Sequence, residues 1–195
     1  MSSLLLAPLL FSPPVMAADL DKGVRAYNAG DYTTALAEFR PLAERGDAAA
    51  QNNLGVMFHL GKGVARDHSL AFKWYNLAAN QGYDMAQHNL GIMYVYGLGV
   101  PKNYVEALRW FRRAAMQGHA AGQYDLGVMY ANGEGVSQDD VLAYMWGNLA
   151  RGQGYEKTDG LFERLEVRMT RKQIATAQAM ALKCAVQDYK DCDQL

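Results

Sequence analysis

Residues 48–83, 84–119 and 120–155 align with one another without a gap, a period of 36 residues. Twelve columns are identical in all three units. They include Gln51/Gln87/Gln123, Leu54/Leu90/Leu126, Gly55/Gly91/Gly127, Gly61/Gly97/Gly133, Gly63/Gly99/Gly135, Trp74/Trp110/Trp146 and Gln81/Gln117/Gln153. A unit this short cannot enclose a core by itself. It buries its apolar face by stacking on the next copy, so the chain builds an array.

Each unit reads as two helices. The first covers 48–60, 84–96 and 120–132, with apolar residues at helical spacing, as in Leu54, Met57 and Phe58. A glycine inside it costs about 1 kcal/mol against alanine. Its threefold retention predicts that the partner helix comes close to the backbone there. Gly61, Gly97 and Gly133 stand where a left-handed residue ends the helix, and the second glycine of each pair serves the loop. The second helix starts at a side-chain cap, Asp67, Asn103 or Asp139, and Asn103 with Glu106 has capping-box spacing. Small and large residues alternate along it, which predicts burial of Trp74, Trp110 and Trp146.

The stretch "AQNNLGVMFHLGKGVARDHSLAFKWYNLAANQG" and its two echoes resemble the Sel-one-like repeat (SLR) family, a longer-turn cousin of the tetratricopeptide repeat. The resemblance implies an all-α, right-handed α-solenoid of antiparallel helix pairs. Residues 19–47 read as a partial first unit with a tight turn at Ala29-Gly30-Asp31-Tyr32 and with Glu38 in the tryptophan column. After Tyr155 the pattern decays. Residues 156–195 are expected to form a carboxyl-terminal capping helix and tail, with a capping box at Thr170–Gln173 and an apolar stripe through Ile174, Ala177, Met180, Ala181 and Cys184.

The ends of the sequence bear on compartment. Residues 1–17 carry no charge, contain the apolar run Leu4–Phe11 and finish on Val15-Met16-Ala17. That pattern predicts a signal peptide cut after Ala17 and a periplasmic or secreted bacterial protein. Cys184 and Cys192 are the two cysteines of the chain, and an even count in an exported protein predicts a disulfide. Without a histidine beside them they do not suggest a metal site, and no cofactor is expected.

Function reads as binding. Nineteen basic against 20 acidic residues give a net charge of −1, which excludes a nucleic-acid binder driven by a positive field. No apolar run reaches the roughly 18 residues needed to span a bilayer. The sequence has no HExxH, GxSxG, CxxC or SxxK motif, so no enzyme is expected. A cysteine-rich branch of the SLR family is associated with β-lactam binding or hydrolysis. It carries a cysteine pair in its repeats, and residues 1–183 contain none.

The resemblance places ligands on the concave side, lined by the first helix of each pair. The implied inner positions are Asn52, Val56, His59 and Leu60, then His88, Ile92, Val95 and Tyr96, then Tyr124, Val128, Ala131 and Asn132. The partial unit supplies Val24, Tyr27 and Asn28. None of the three helices contains Lys or Arg, so no cationic clamp is expected there. An apolar-aromatic surface edged by Asn and His suits a protein or peptide segment. We therefore expect a monomeric periplasmic scaffold or adaptor whose contacts centre on Tyr27, Asn52, His59, His88, Ile92, Tyr96, Tyr124 and Asn132. A peptidoglycan or glycan binder is the alternative, set back by the few carboxylates on that face, and a β-lactam-binding or hydrolysing SLR protein ranks behind it. The cluster Arg109, Arg112 and Arg113 reads as a solvated face, with an acidic partner or phosphate as the sharper alternative.

Overall fold

Local capping starts most helices where the repeat pattern places them. In the computed structural model, which describes residues 18–190 and Cys192, these are α1 (Leu20–Asn28), α2 (Tyr32–Glu44), α3 (Ala48–Leu60), α4 (His68–Asn80), α5 (Asp84–Tyr96), α6 (Tyr104–Ala115), α7 (Ala120–Asn132), α8 (Asp140–Gly152), α9 (Asp159–Glu166) and α10 (Arg171–Val186). A short 3-10 turn covers Glu156–Thr158. The predicted signal peptide, 1–17, lies outside the described residues. The Asp67 carboxylate accepts the N–H of Leu70 at 2.9 Å, and Asp139 serves Val141 and Leu142 in the same way. Thr170 and Gln173 make the expected reciprocal box. Asn103 makes only half of one: it accepts from Val105 and Glu106, while the Glu106 carboxylate turns outward to Arg109. The salt bridge to the next turn wins because Glu106 and Arg109 share an exposed face.

Consecutive helices pack on one another from α1 to α8, and α8 is covered by α9 and α10. The architecture is an all-α solenoid with an atypical final turn. The glycine inside each first helix is a contact point, as its retention suggests. A Cβ on Gly55 would lie 2.7 Å from the ring of Tyr75, and one on Gly91 would lie 2.5 Å from that of Phe111. In the third unit the aromatic column holds Gly147 instead, so the backbones themselves close up: a Cβ on Gly127 would lie 2.9 Å from the Ala143 carbonyl.

The second glycine of each pair does more than serve its loop. Gly135 has φ +71, and a Cβ there would lie 2.5 Å from the carbonyl oxygen of Tyr104, at the start of the previous unit's second helix. Gly99 sits equally close over His68. These turns therefore set the distance between stacked units.

The tryptophan column is not uniformly buried. Trp146 is fully buried and Trp110 is 6% exposed, each within a larger core cluster. Trp74 is half-buried, at the margin of the small cluster of Ala43, Ala50 and Leu54. Cys184 and Cys192 form the disulfide. It closes a reversal at Asp188 and Tyr189, both left-handed, that lays the Tyr189 ring against Gly118 at the end of α6.

Candidate functional site

Polar rungs join the first helices of successive units. Asn89 Nδ2 donates to Asn52 Oδ1 at 3.0 Å, and His88 Nε2 lies 2.7 Å from Asp125 Oδ2. Each links a residue to one 37 positions later, one unit plus one residue. Asn52 is consequently 4% exposed, which corrects its expected place on the open face: stacking of α5 on α3 consumes its amide. Tyr124 occupies the same column as Asn52 and His88. No further repeat follows it, and its ring rests on Tyr155, with centroids 5.2 Å apart.

Beside the second rung a cavity of about 510 Å³ opens between α5 and α7. His88, Ile92, Val95 and Tyr96 line it from α5, and Tyr124, Asp125, Val128 and Asn132 from α7. Phe111 and Met129 belong to its apolar floor. Five of the eight predicted contact residues thus converge here: His88, Ile92, Tyr96, Tyr124 and Asn132. Tyr96 is open to solvent, at 70% exposure. The other three lie elsewhere: Asn52 in the first rung, Tyr27 half-buried against Tyr32, and His59 against His68.

The turns add chemistry that the helices lack. Lys102 and Tyr104 flank the Asn103 cap, Glu134 sits between two turn glycines, and Tyr155 and Lys157 come from the segment after α8. The absence of cations on the helices does not extend to the rim, because Lys102 and Lys157 reach it. Lys102 Nζ lies over the Tyr104 ring, 4.4 Å from its centroid. Two carboxylates, Asp125 and Glu134, also line the cavity, more than the inner helical positions alone suggest. Burial, reinforced by the nearby Asp125, holds the phenols of Tyr124 and Tyr155 above the usual tyrosine range. Both stay neutral hydroxyls able to donate and accept. The site offers aromatic faces, an apolar floor and charges of both signs at its edge, an arrangement suited to gripping a ligand.

Sequence reasoning missed Lys102, Tyr104, Asp125, Glu134, Tyr155 and Lys157. A signal exists for Glu134, whose column differs among the units while both of its neighbours are invariant. Glu134 replaces Lys62 and Leu98 between invariant glycines. The arginine cluster is occupied within the molecule: Arg109 bonds Glu106, Arg112 donates to the Tyr130 hydroxyl at 2.6 Å, and Arg113 lies over Trp110.

The Sel1 repeat family model matches residues 48–83, 84–119 and 120–155. Among solved structures, the chain is similar to a Sel1 repeat protein from Oxalobacter formigenes, with 33% identity and a TM-score of 0.72 over 85% of this chain and 75% of that one. It is also similar to c5321, a protective antigen of uropathogenic Escherichia coli strains displaying an SLR fold, with 28% identity and a TM-score of 0.73 over 90% of this chain. The match spans 43% of that longer chain. No curated protein matches.

Proposed function

The chain belongs to the Sel1 repeat family, and from that premise we propose that it is a non-enzymatic scaffold that holds a segment of a partner protein in the cavity between α5 and α7. Proteins of this family generally mediate protein–protein interactions. One observation carries the assignment to this cavity. Inner-face positions of two adjacent units, His88, Ile92 and Tyr96 with Tyr124, Val128 and Asn132, meet around a single hollow. Tyrosine faces and an apolar floor supply anchoring area, and Asn132 at the mouth can bond an extended backbone. The proposed setting is the bacterial periplasm or exterior. The Cys184–Cys192 disulfide supports an oxidising compartment, and among the described residues no helix is long and apolar enough to cross a membrane.

The test is a crosslinked capture from periplasmic extract with the protein and with a Tyr96→Ala/Asn132→Ala variant. Both side chains are exposed, so the fold should survive. A protein retained by the first and lost by the second is the expected result. Equal capture by both would contradict the assignment.

Asp125 and Glu134 favour a second reading, in which the cavity takes a glycan unit. Carboxylates beside tyrosine faces can bond sugar hydroxyls while the ring stacks. Displacement of the captured protein by muropeptides would tie the two readings to one site. Direct muropeptide binding without any captured protein would favour the glycan.

A further inference from the structure

The sequence contains four histidines, and all four stand in two close imidazole pairs. His59, near the end of α3, meets His68 at the start of α4 with ring centroids 5.1 Å apart. His88 on α5 meets His119, the residue before α7, at 4.9 Å. Repeat duplication does not account for this. The two pairs draw on four different columns, and the other two complete units hold Val95 and Ala131 where the first has His59.

Each pair is built so that a second proton is disruptive. His119 Nδ1 accepts the N–H of Gly122 at 3.0 Å and so caps α7. A protonated ring has no lone pair left to do this. Among the described residues, Nδ1 of His59 and Nδ1 of His68 are buried with no hydrogen-bond partner, so doubly protonating either ring would place a buried N–H where nothing accepts it. A charge on His88 is compensated by Asp125 at 2.7 Å. A charge on His119 would face that of His88 and dissolve the cap.

We propose that these two pairs make the first-helix face acid-sensitive, with protonation of His119 loosening the first turn of α7 and hence the Tyr124–Asp125 wall of the cavity. The consequence for a bound partner rests on the cavity reading above. The charged neighbours support the direction. Around His119, burial and His88 of α5 oppose the charged form, while Asp84 of α5 and Asp125 of α7 favour it. The balance leaves its pKa below the ordinary 6.5. Around His59, burial, His68 of α4 and Arg66 of the preceding turn all oppose the charge, and its pKa is lowered too. A base with a depressed folded-state pKa contributes stability that is present above about 6.5 and drains away as pH falls, because the unfolded chain takes the proton first.

The test is thermal unfolding of the disulfide-bonded protein at pH 7.5 and 5.0, beside a His59→Val/His119→Asn variant. Valine is the residue at the equivalent place in the second unit, and asparagine caps without titrating. The variant should fold, because Tyr83 stands in the column of His119 and α5 forms with no side-chain cap. On acidification the wild type should lose about 3–6 °C more in Tm than the variant, a drop typical of about one to two lost interactions in a chain this size. Hydrogen-exchange protection at the Gly122 amide should fall in the wild type and hold in the variant. Equal drops in Tm with unchanged Gly122 protection would overturn the proposal. No partner is present in this experiment, so that result would leave the cavity reading standing. Failure of the capture experiment would in turn leave the acid response untouched.

Discussion

The invariant glutamines show what single side chains contribute. Gln51, Gln87 and Gln123 each donate from Nε2 to a carbonyl eight residues earlier, at Ala43, Ala79 and Ala115. Each also accepts from the second glutamine of its own unit, Gln81, Gln117 or Gln153, at 2.7 Å. One buried amide thus satisfies the end of the previous unit's second helix and ties it to the next. The sequence marks both columns as invariant without saying why, because the partners are a backbone atom and a side chain 30 residues away. Replacing Gln87 with Ala removes two hydrogen bonds, its own to the Ala79 carbonyl, which keeps only the Gly82 N–H, and the one it accepts from Gln117, and should cost about 1–3 kcal/mol. Urea unfolding would show this as a lower midpoint at unchanged slope. An unmoved midpoint would mean that the ladder is decoration.

For the helices, the glycines inside the first helix of each unit separate propensity from packing. Alanine is the better helix former by about 1 kcal/mol, yet a Cβ at Gly91 would stand 2.5 Å from the buried Phe111 ring. Gly91→Ala should therefore destabilise by about 1–3 kcal/mol. Gly160 in α9 has open space around it, and Gly160→Ala should stabilise by about 0.5–1 kcal/mol. Thermal unfolding of the two variants checks opposite signs for the same substitution. Helix positions and the close approach at glycine follow from the repeat alone, because both are local or periodic. Three things do not: that the approach is made by a ring at Gly55 and Gly91 but by backbone at Gly127, that Asn52 is consumed in a rung, and that Glu106 prefers Arg109 to its cap. Each depends on which neighbour is present, and the alignment of units averages that away.

In the whole molecule, stability runs from neighbour to neighbour, and the ends need their own devices. At the carboxyl end α10 covers α8, and the disulfide ties down the reversal that brings Tyr189 to Gly118. Closing so short a loop should contribute about 2–3 kcal/mol. A Cys184→Ala/Cys192→Ala variant should accordingly show faster hydrogen exchange in α10 while α3 to α5 stay protected. Exchange rising evenly along the chain would contradict a stack of local contacts. The cavity arises from the same neighbour logic. The positions from α5 and α7 that line it were readable from the columns, whereas its turn-borne charges, Lys102, Glu134 and Lys157, were not, because a solenoid brings them together only once its curvature is set. The measurement closest to the central claim is site-specific photocrosslinking in periplasmic extract, with a photoreactive residue at position 96 in the mouth of the cavity and, in a second sample, at exposed Leu77 on α4. The account predicts one discrete partner adduct from position 96 and none from position 77. The same adduct from both positions, or from position 77 alone, would contradict it.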